Sequence, residues 1–213
     1  MLTFVKRQNI IKKDFDVMRG IYMETMSCTI TGHRPTRFKW KYNERDEGCQ
    51  RLKRRLRDQL ICAYEQGVHR FYTGGALGVD LWAGEILLRL KEQPEFAEIE
   101  LMIALPFEGY NVEWDKHSRS RMDFLIKHSQ ETVVVGERGQ PPTACYRKRN
   151  EYMVNRSQYL IAVFDQEKNR RSGTQQTVNF AKKKLLRIIY IHPDTAAVTG
   201  FQLSGESPML GME

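Results

Sequence analysis

The sequence predicts an α/β fold: a three-layer sandwich on a mostly parallel sheet of about six or more strands, with helices on both faces. Three observations carry that prediction. Short β-rich runs alternate with longer helical ones along most of the 213 residues, the pattern of βαβ units. Several strand runs are almost continuously apolar, as strands covered on both faces must be. Four of them end in Gly or Asp, residues that let a chain leave a sheet through a turn.

In chain order the strands are CTITG (28–32), RFYTG (70–74), IELMIAL (99–105), ETVVVG (131–136), YLIAVFD (159–165) and LRIIYIH (186–192). Helical segments fall near 44–66, 76–92, 111–129, 143–157 and 173–184. In the first helix Leu52, Leu56, Leu60 and Ala63 recur at spacings of three and four, which makes one apolar stripe, while Arg51, Arg54, Arg55 and Arg57 take the opposite side. The domain is therefore placed at residues 26–192. The segment 193–213 mixes Gly, Ser, Pro and Thr without periodicity and reads as a loosely attached tail. The extension 1–25 has two readings. It is either an N-terminal helix or arm, or a start assigned too early, because AG-rich codons for Arg19-Gly20 would stand shortly before the Met23 codon like a ribosome-binding site.

With 41% hydrophobic and 28% charged residues, and no apolar run near the ~20 residues of a membrane helix, a soluble, cytoplasmic chain is expected. The first 25 residues lack the apolar core of a secretory signal. Cys28, Cys49, Cys62 and Cys145 lie far apart without the CxxC or Cys/His spacing of a zinc site, so reduced thiols and no metal are expected. A net charge of +8 points to polyanionic company, either nucleic acid or a phosphate-bearing small molecule.

Three small-residue junctions follow strands, and the carboxyl edge of such a sheet is where ligands bind. At the first, Gly32 makes the turn, Pro35 blocks a helix, and His33 and Arg34 are offered to a ligand. Arg34 is suited to a bidentate phosphate clamp, whereas His33 is open to three roles: hydrogen-bond donor, base or packing histidine. At the second, Gly74, Gly75, Ala76 and Gly78 lead straight into a helix. Gly74 and Gly75 would admit a phosphate to the backbone at the positive end of the helix dipole, and Gly78 would allow close helix packing. Asp80 and Glu85 follow, suited to ribose hydroxyls, although Asp80 also simply complements the dipole. At the third, Ser172, Gly173 and Thr174 open a helix, where hydroxyls both cap and bind phosphate. The spacing GGxxG is not the GxGxxG of a plain NAD site.

Taken together, TGHRPTRF, YTGGALGVDLWAGE, ALPFEGYNVEW, RKRNEYMVNRSQYLIAVFD and SGTQQTVNFAKKK, in this order, resemble the YpsA-like branch of the SLOG superfamily over residues 26 to 192. That superfamily takes its name from the DNA-processing protein Smf/DprA and the cytokinin-activating LOG enzymes, and YpsA-like relatives occur in bacteria and phages. The resemblance implies a Rossmann-like domain binding a nucleotide or nucleotide derivative, with ADP-ribose-like molecules the usual suggestion. It matches Gly32, His33, Arg34 and Pro35 to the first loop, Gly74, Gly75, Gly78 and Asp80 to the glycine motif, Glu85 to the acid beyond it, and Gly173 and Thr174 to the second phosphate turn. Ser172 stands where relatives often have glycine. Arg149 and Asn150 also match; Arg149 either reaches the ligand or only decorates a basic helix with Arg147 and Lys148.

LOG enzymes cleave riboside monophosphates and carry a glutamate after the PGGxGT turn. Here Gln175, Gln176 and Thr177 follow the threonine, and Glu85 is the one acid to nominate for chemistry. Three functions follow. The first is binding or sensing of a nucleotide derivative, its presence passed to a protein partner or pathway. The second is hydrolysis of a nucleotide at an N-glycosidic or phosphate-ester bond. The third is binding of single-stranded nucleic acid, supported by the clusters Arg51 to Arg57, Lys168 to Arg171 and Lys182 to Lys184, although aromatics are not interleaved with them.

Overall fold

A computed structural model describes residues 25–137, 139–166 and 172–203. The extension 1–24, the basic segment Glu167 to Arg171 and residues 204–213 lie outside the described residues. All six expected strands form: β1 (Met26–Gly32), β2 (Val68–Thr73), β3 (Glu100–Leu105), β4 (Glu131–Val134), β5 (Tyr159–Val163) and β6 (Arg187–Ile191). Between them lie α1 (Glu47–Glu65), α2 (Val79–Lys91), α3 (Lys116–His128), α4 (Pro142–Asn155) and α5 (Gly173–Lys183). None of the described helices is long and apolar enough to cross a membrane.

With a short seventh strand, β7 (Val198–Gly200), the strand order is β4-β3-β2-β1-β5-β6-β7, parallel throughout except for the last pair. The chain steps outward from β1 to β4, then restarts on the other side of β1 with β5, in register from Cys28 opposite Tyr159 to Gly32 opposite Val163. Helices following the two halves cover opposite faces. Ile30, Phe71, Ile103 and Ile161 pack with α1, α2 and α3 in the main core, and Leu160 and Ala162, on either side of Ile161 in β5, pack with Val178 and Ala181 of α5. Reversal of strand order beside β1 opens a crevice at the carboxyl ends of β1 and β5, the usual ligand position in such sheets.

Local chemistry accounts for the helices. Asp46 caps α1, its side chain accepting from the Gly48 amide at 2.8 Å, and the apolar stripe Leu52, Leu56, Leu60 and Ala63 is fully buried. Arg51, Arg54 and Arg57 face water. Burial also pushes the Cys28 thiol up to about 12 and the Cys49 thiol to about 11, which keeps both protonated and unreactive.

The stretch after Pro193 departs from its reading as a loose tail. Val198–Gly200 forms β7, antiparallel to β6, and Ala196 and Leu203 are buried in the main core. A three-residue strand of sequence VTG has no period to detect, and its partner supplies the order.

Candidate functional site

The first junction is held by a carboxylate that the sequence reading did not single out. Directly after β5, Asp165 lies 2.9 Å from Arg37 Nη2 and 3.4 Å from His33 Nε2. His33 is buried, edge-on to Phe38 and Phe164, while Arg34 stays exposed. Gly32 is required because a Cβ there would fall 2.5 Å from the Val79 side chain, where α2 starts.

The glycine corner has a different geometry from the phosphate cradle expected of it. At Gly74 an added Cβ would sit 1.2 Å from Arg149 Nη1, so the guanidinium fills the space a side chain would take. Gly75, at φ +64°, is backed by Met122 and by Tyr110, whose hydroxyl donates to the Gly75 carbonyl at 2.9 Å. Gly78, at φ +92°, lies against the His33 carbonyl and Pro35. These glycines let protein approach protein.

Asp80 and Arg149 form the buried centre. Each is 6% exposed, and Asp80 Oδ2 accepts from Arg149 Nη1 and from the Ala76 amide, both at 3.4 Å. Burial pushes the Asp80 carboxyl up, against the pull of Arg149, and the same burial draws Arg149 down from its ordinary high value. Arg149 stays protonated at neutral pH all the same. Its Nε has no hydrogen-bond partner among the described residues. A buried donor on a charged group is costly to leave unmet.

On α4, the Tyr146 ring has the Arg34 and Arg149 guanidiniums 5.7 and 5.8 Å from its centroid. Asn150 Nδ2 reaches Gln176 of α5 at 3.5 Å. At the start of α5, Ser172 Oγ accepts from the Gln175 amide at 3.1 Å and Thr174 is buried. Among the described residues a Cβ at Gly173 would meet nothing within 4 Å.

These groups enclose a cavity of about 750 Å³, within the size range of small-molecule sites. Of the residues expected at the site, Gly32, His33, Arg34, Ala76, Asp80, Arg149, Asn150, Ser172, Gly173 and Thr174 line it. Gly74 and Gly75 do not, for the reason above, and Pro35 and Gly78 face a second cavity behind the two loops. Glu85 is also elsewhere. Its oxygens receive Arg121 Nε at 2.6 Å and Nη2 at 2.8 Å, and Arg121 binds Glu44 as well. Tyr146, Arg37, Arg147 and Lys183 line the cavity although sequence reasoning did not place them there. Thr143, Tyr146, Arg147 and Asn150 share one helical stripe, so tracing α4 back from Asn150 by threes and fours was the available signal. Among the described residues no group of three or more His, Cys, Asp or Glu is placed to hold a metal ion.

The family model described as the YspA SLOG family matches residues 28–196. The chain belongs to that family. Among YspA SLOG relatives, a UPF0398 protein of Bacillus cereus is 26% identical over 155 residues, which cover 73% of this chain and 82% of the relative. Another, from Halalkalibacterium halodurans, is 28% identical over 141 residues, covering 66% and 72%. The SLOG architecture also places the chain near two solved structures at 15% identity. One is DNA processing protein A (DprA) of Streptococcus pneumoniae, with TM-score 0.52; the other is DprA of Helicobacter pylori, with TM-score 0.50, in a structure described for its single-stranded DNA binding mode. Each likeness covers 78% of this chain, but only 50% and 65% of those longer chains, and shows a shared Rossmann-like fold.

Proposed function

We propose that the cavity binds a small phosphate-bearing molecule of the nucleotide class, and that the chain works as a binding or sensing protein. The observation that carries this is Arg149: a buried guanidinium facing the cavity, held by one long contact to Asp80, with Nε unmet among the described residues. A phosphate oxygen satisfies such a donor with a charge-assisted bond. The start of α5 at Gly173, which lines the same cavity, adds backbone N–H groups and a positive dipole end, and Arg34 and Tyr146 supply a cation and an aromatic face. The acid nominated for hydrolysis, Glu85, is spent on Arg121 outside the cavity, which favours binding over LOG-like turnover.

Titration calorimetry with AMP, ADP-ribose and NAD tests this. Arg149→Met removes the charge but keeps the bulk, and losing a charged hydrogen bond should weaken binding by roughly ten- to a hundredfold. Equal affinity in a folded variant removes the reading, and so does an absence of binding by all three ligands. Chromatography of the same mixtures for ribose 5-phosphate or free base reports any turnover.

A second reading is single-stranded nucleic acid, and one contact favours it. Arg147 lies 5.7 Å over the Phe180 ring at the mouth of the cavity, beside Lys183, a pairing of cation and stacking surface used for unpaired strands. Oligonucleotide binding with a steep salt dependence, undiminished by AMP, would select it.

A further inference from the structure

The buried pair at the centre of the cavity has an unbalanced charge problem. Facing Asp80 are Arg149 and Tyr146 from α4, Arg34 from the loop after β1, the Gly74 and Ala76 amides from the glycine corner, and Tyr110 from the loop after β3. The start of α5 brings no titratable side chain. Arg37 and His33 are turned to Asp165. Among the described residues the positive charge at this inner end is therefore two guanidiniums and about half a charge from the α5 terminus. Asp80 alone offsets part of it. A doubly charged diphosphate arriving at Arg149 would bring the negative total to three, with Asp80 and Arg149 themselves buried.

We propose that Asp80 is a proton-coupled counter-ion: it holds Arg149 in the empty site, and when an anionic ligand takes over that guanidinium, Asp80 takes up a proton from solvent and donates it to the ligand as a hydrogen bond. The geometry supports the exchange. The hydrogen bonds to Oδ2 from Arg149 and Ala76 are long, at 3.4 Å, so a second anion sharing Arg149 weakens the largest of the contacts that keep the carboxylate ionised, leaving Arg34 and the Gly74 and Ala76 amides. Asp80 lines the cavity itself and is within its reach. The absence of a Cβ at Gly74 leaves Arg149 wedged beside it. Burial already pushes this carboxyl up before any ligand arrives. The balance is simple: one proton leaves the buffer, one O–H forms on Asp80, and site and ligand together end one charge more positive than they began.

The proposal rests on the anion-site reading above, and the test separates the two. The probe is ADP-ribose, whose diphosphate does not titrate near neutral pH. Calorimetry at a single pH in several phosphate-free buffers of differing ionisation enthalpy measures protons taken up per ligand bound. Wild type should take up close to one proton, and affinity should fall by up to tenfold per pH unit as pH rises where free Asp80 is ionised and bound Asp80 is not. Asp80→Asn, which has no proton to gain, should show no uptake and a flat pH profile. Binding by wild type with the same observed enthalpy in every buffer overturns the proposal and leaves the anion site standing; this arm needs no variant to fold. Uptake that survives in Asp80→Asn but vanishes in His33→Gln assigns the proton to the imidazole and also overturns it. No binding of ADP-ribose, AMP or NAD removes both.

Discussion

Replacing Gly74 with alanine tests what the glycine corner is for. The added Cβ would lie 1.2 Å from Arg149 Nη1 and 2.4 Å from Cζ, so the guanidinium must withdraw by roughly 2 Å to reach ordinary contact. The Nη1 to Oδ2 separation would then grow from 3.4 Å to about 5.5 Å, which at an effective dielectric near 20 costs about 2 kcal/mol. For a domain of this size that lowers Tm by about 4–8 °C, and binding should fall together with stability because Arg149 no longer faces the anion. The assay is thermal unfolding of Gly74→Ala, Arg149→Met and the double variant. Once Arg149→Met has removed the guanidinium, adding the alanine should cost almost nothing further, a coupling of about 2 kcal/mol where independent sites show less than ~0.5. Additive effects, or lost binding at unchanged Tm, would refute the Arg149 geometry and restore the phosphate cradle.

Three other outcomes follow from the same contacts. Burial raises the Glu44 carboxyl, but hydrogen bonds from Arg121, Lys53 and Trp82 outweigh it and hold it at about 2; its stabilisation is complete above pH ~4.5 and is lost as pH falls toward 2. Glu44→Gln should cost about 1–2 kcal/mol at pH 7 after allowing for solvent screening, and the deficit should shrink below pH ~4.5 and vanish only as pH falls through about 2. Glu85→Gln should lower stability by about 1 kcal/mol through Arg121 and leave ADP-ribose affinity within twofold; a tenfold loss would return Glu85 to the site. Gly78→Ala combines a φ of +92° with a Cβ 2.7 Å from the His33 carbonyl, and should cost about 2–4 kcal/mol, seen as a lower urea midpoint.

Much of this was readable in one dimension, for identifiable reasons. Strands buried on both faces write themselves as apolar runs, so YLIAV and RIIYI were found where they lie. Turn residues after strands marked the sheet edge, and the topology that turns an edge into a crevice follows from βαβ alternation. What was not readable depends on contacts far apart in sequence. No local signal says that the space beside Gly74 belongs to an arginine 75 positions later, or that Asp165 gathers His33 and Arg37. Glu85 was different, because its displacement was legible. Five residues separate it from Asp80, which turns it about 140° around the α2 axis, so a helix offering Asp80 to the cavity must carry Glu85 elsewhere.

The short β7 strand determines how the sheet meets other polypeptides. The outer strands are β4, with four residues, and β7, with three, and Gly200, at φ +91° against the Ile188 carbonyl, ends the latter. Brief outer strands offer few unpaired amides for strand addition. Behind β7 lies β6, with Ile189 and Ile191 fully buried; a chain cut after His192 would present that apolar strand as a template for self-assembly. Among the described residues β7 covers that apolar strand, and the short outer strands leave a partner protein more surface on helices and loops than on the sheet edge.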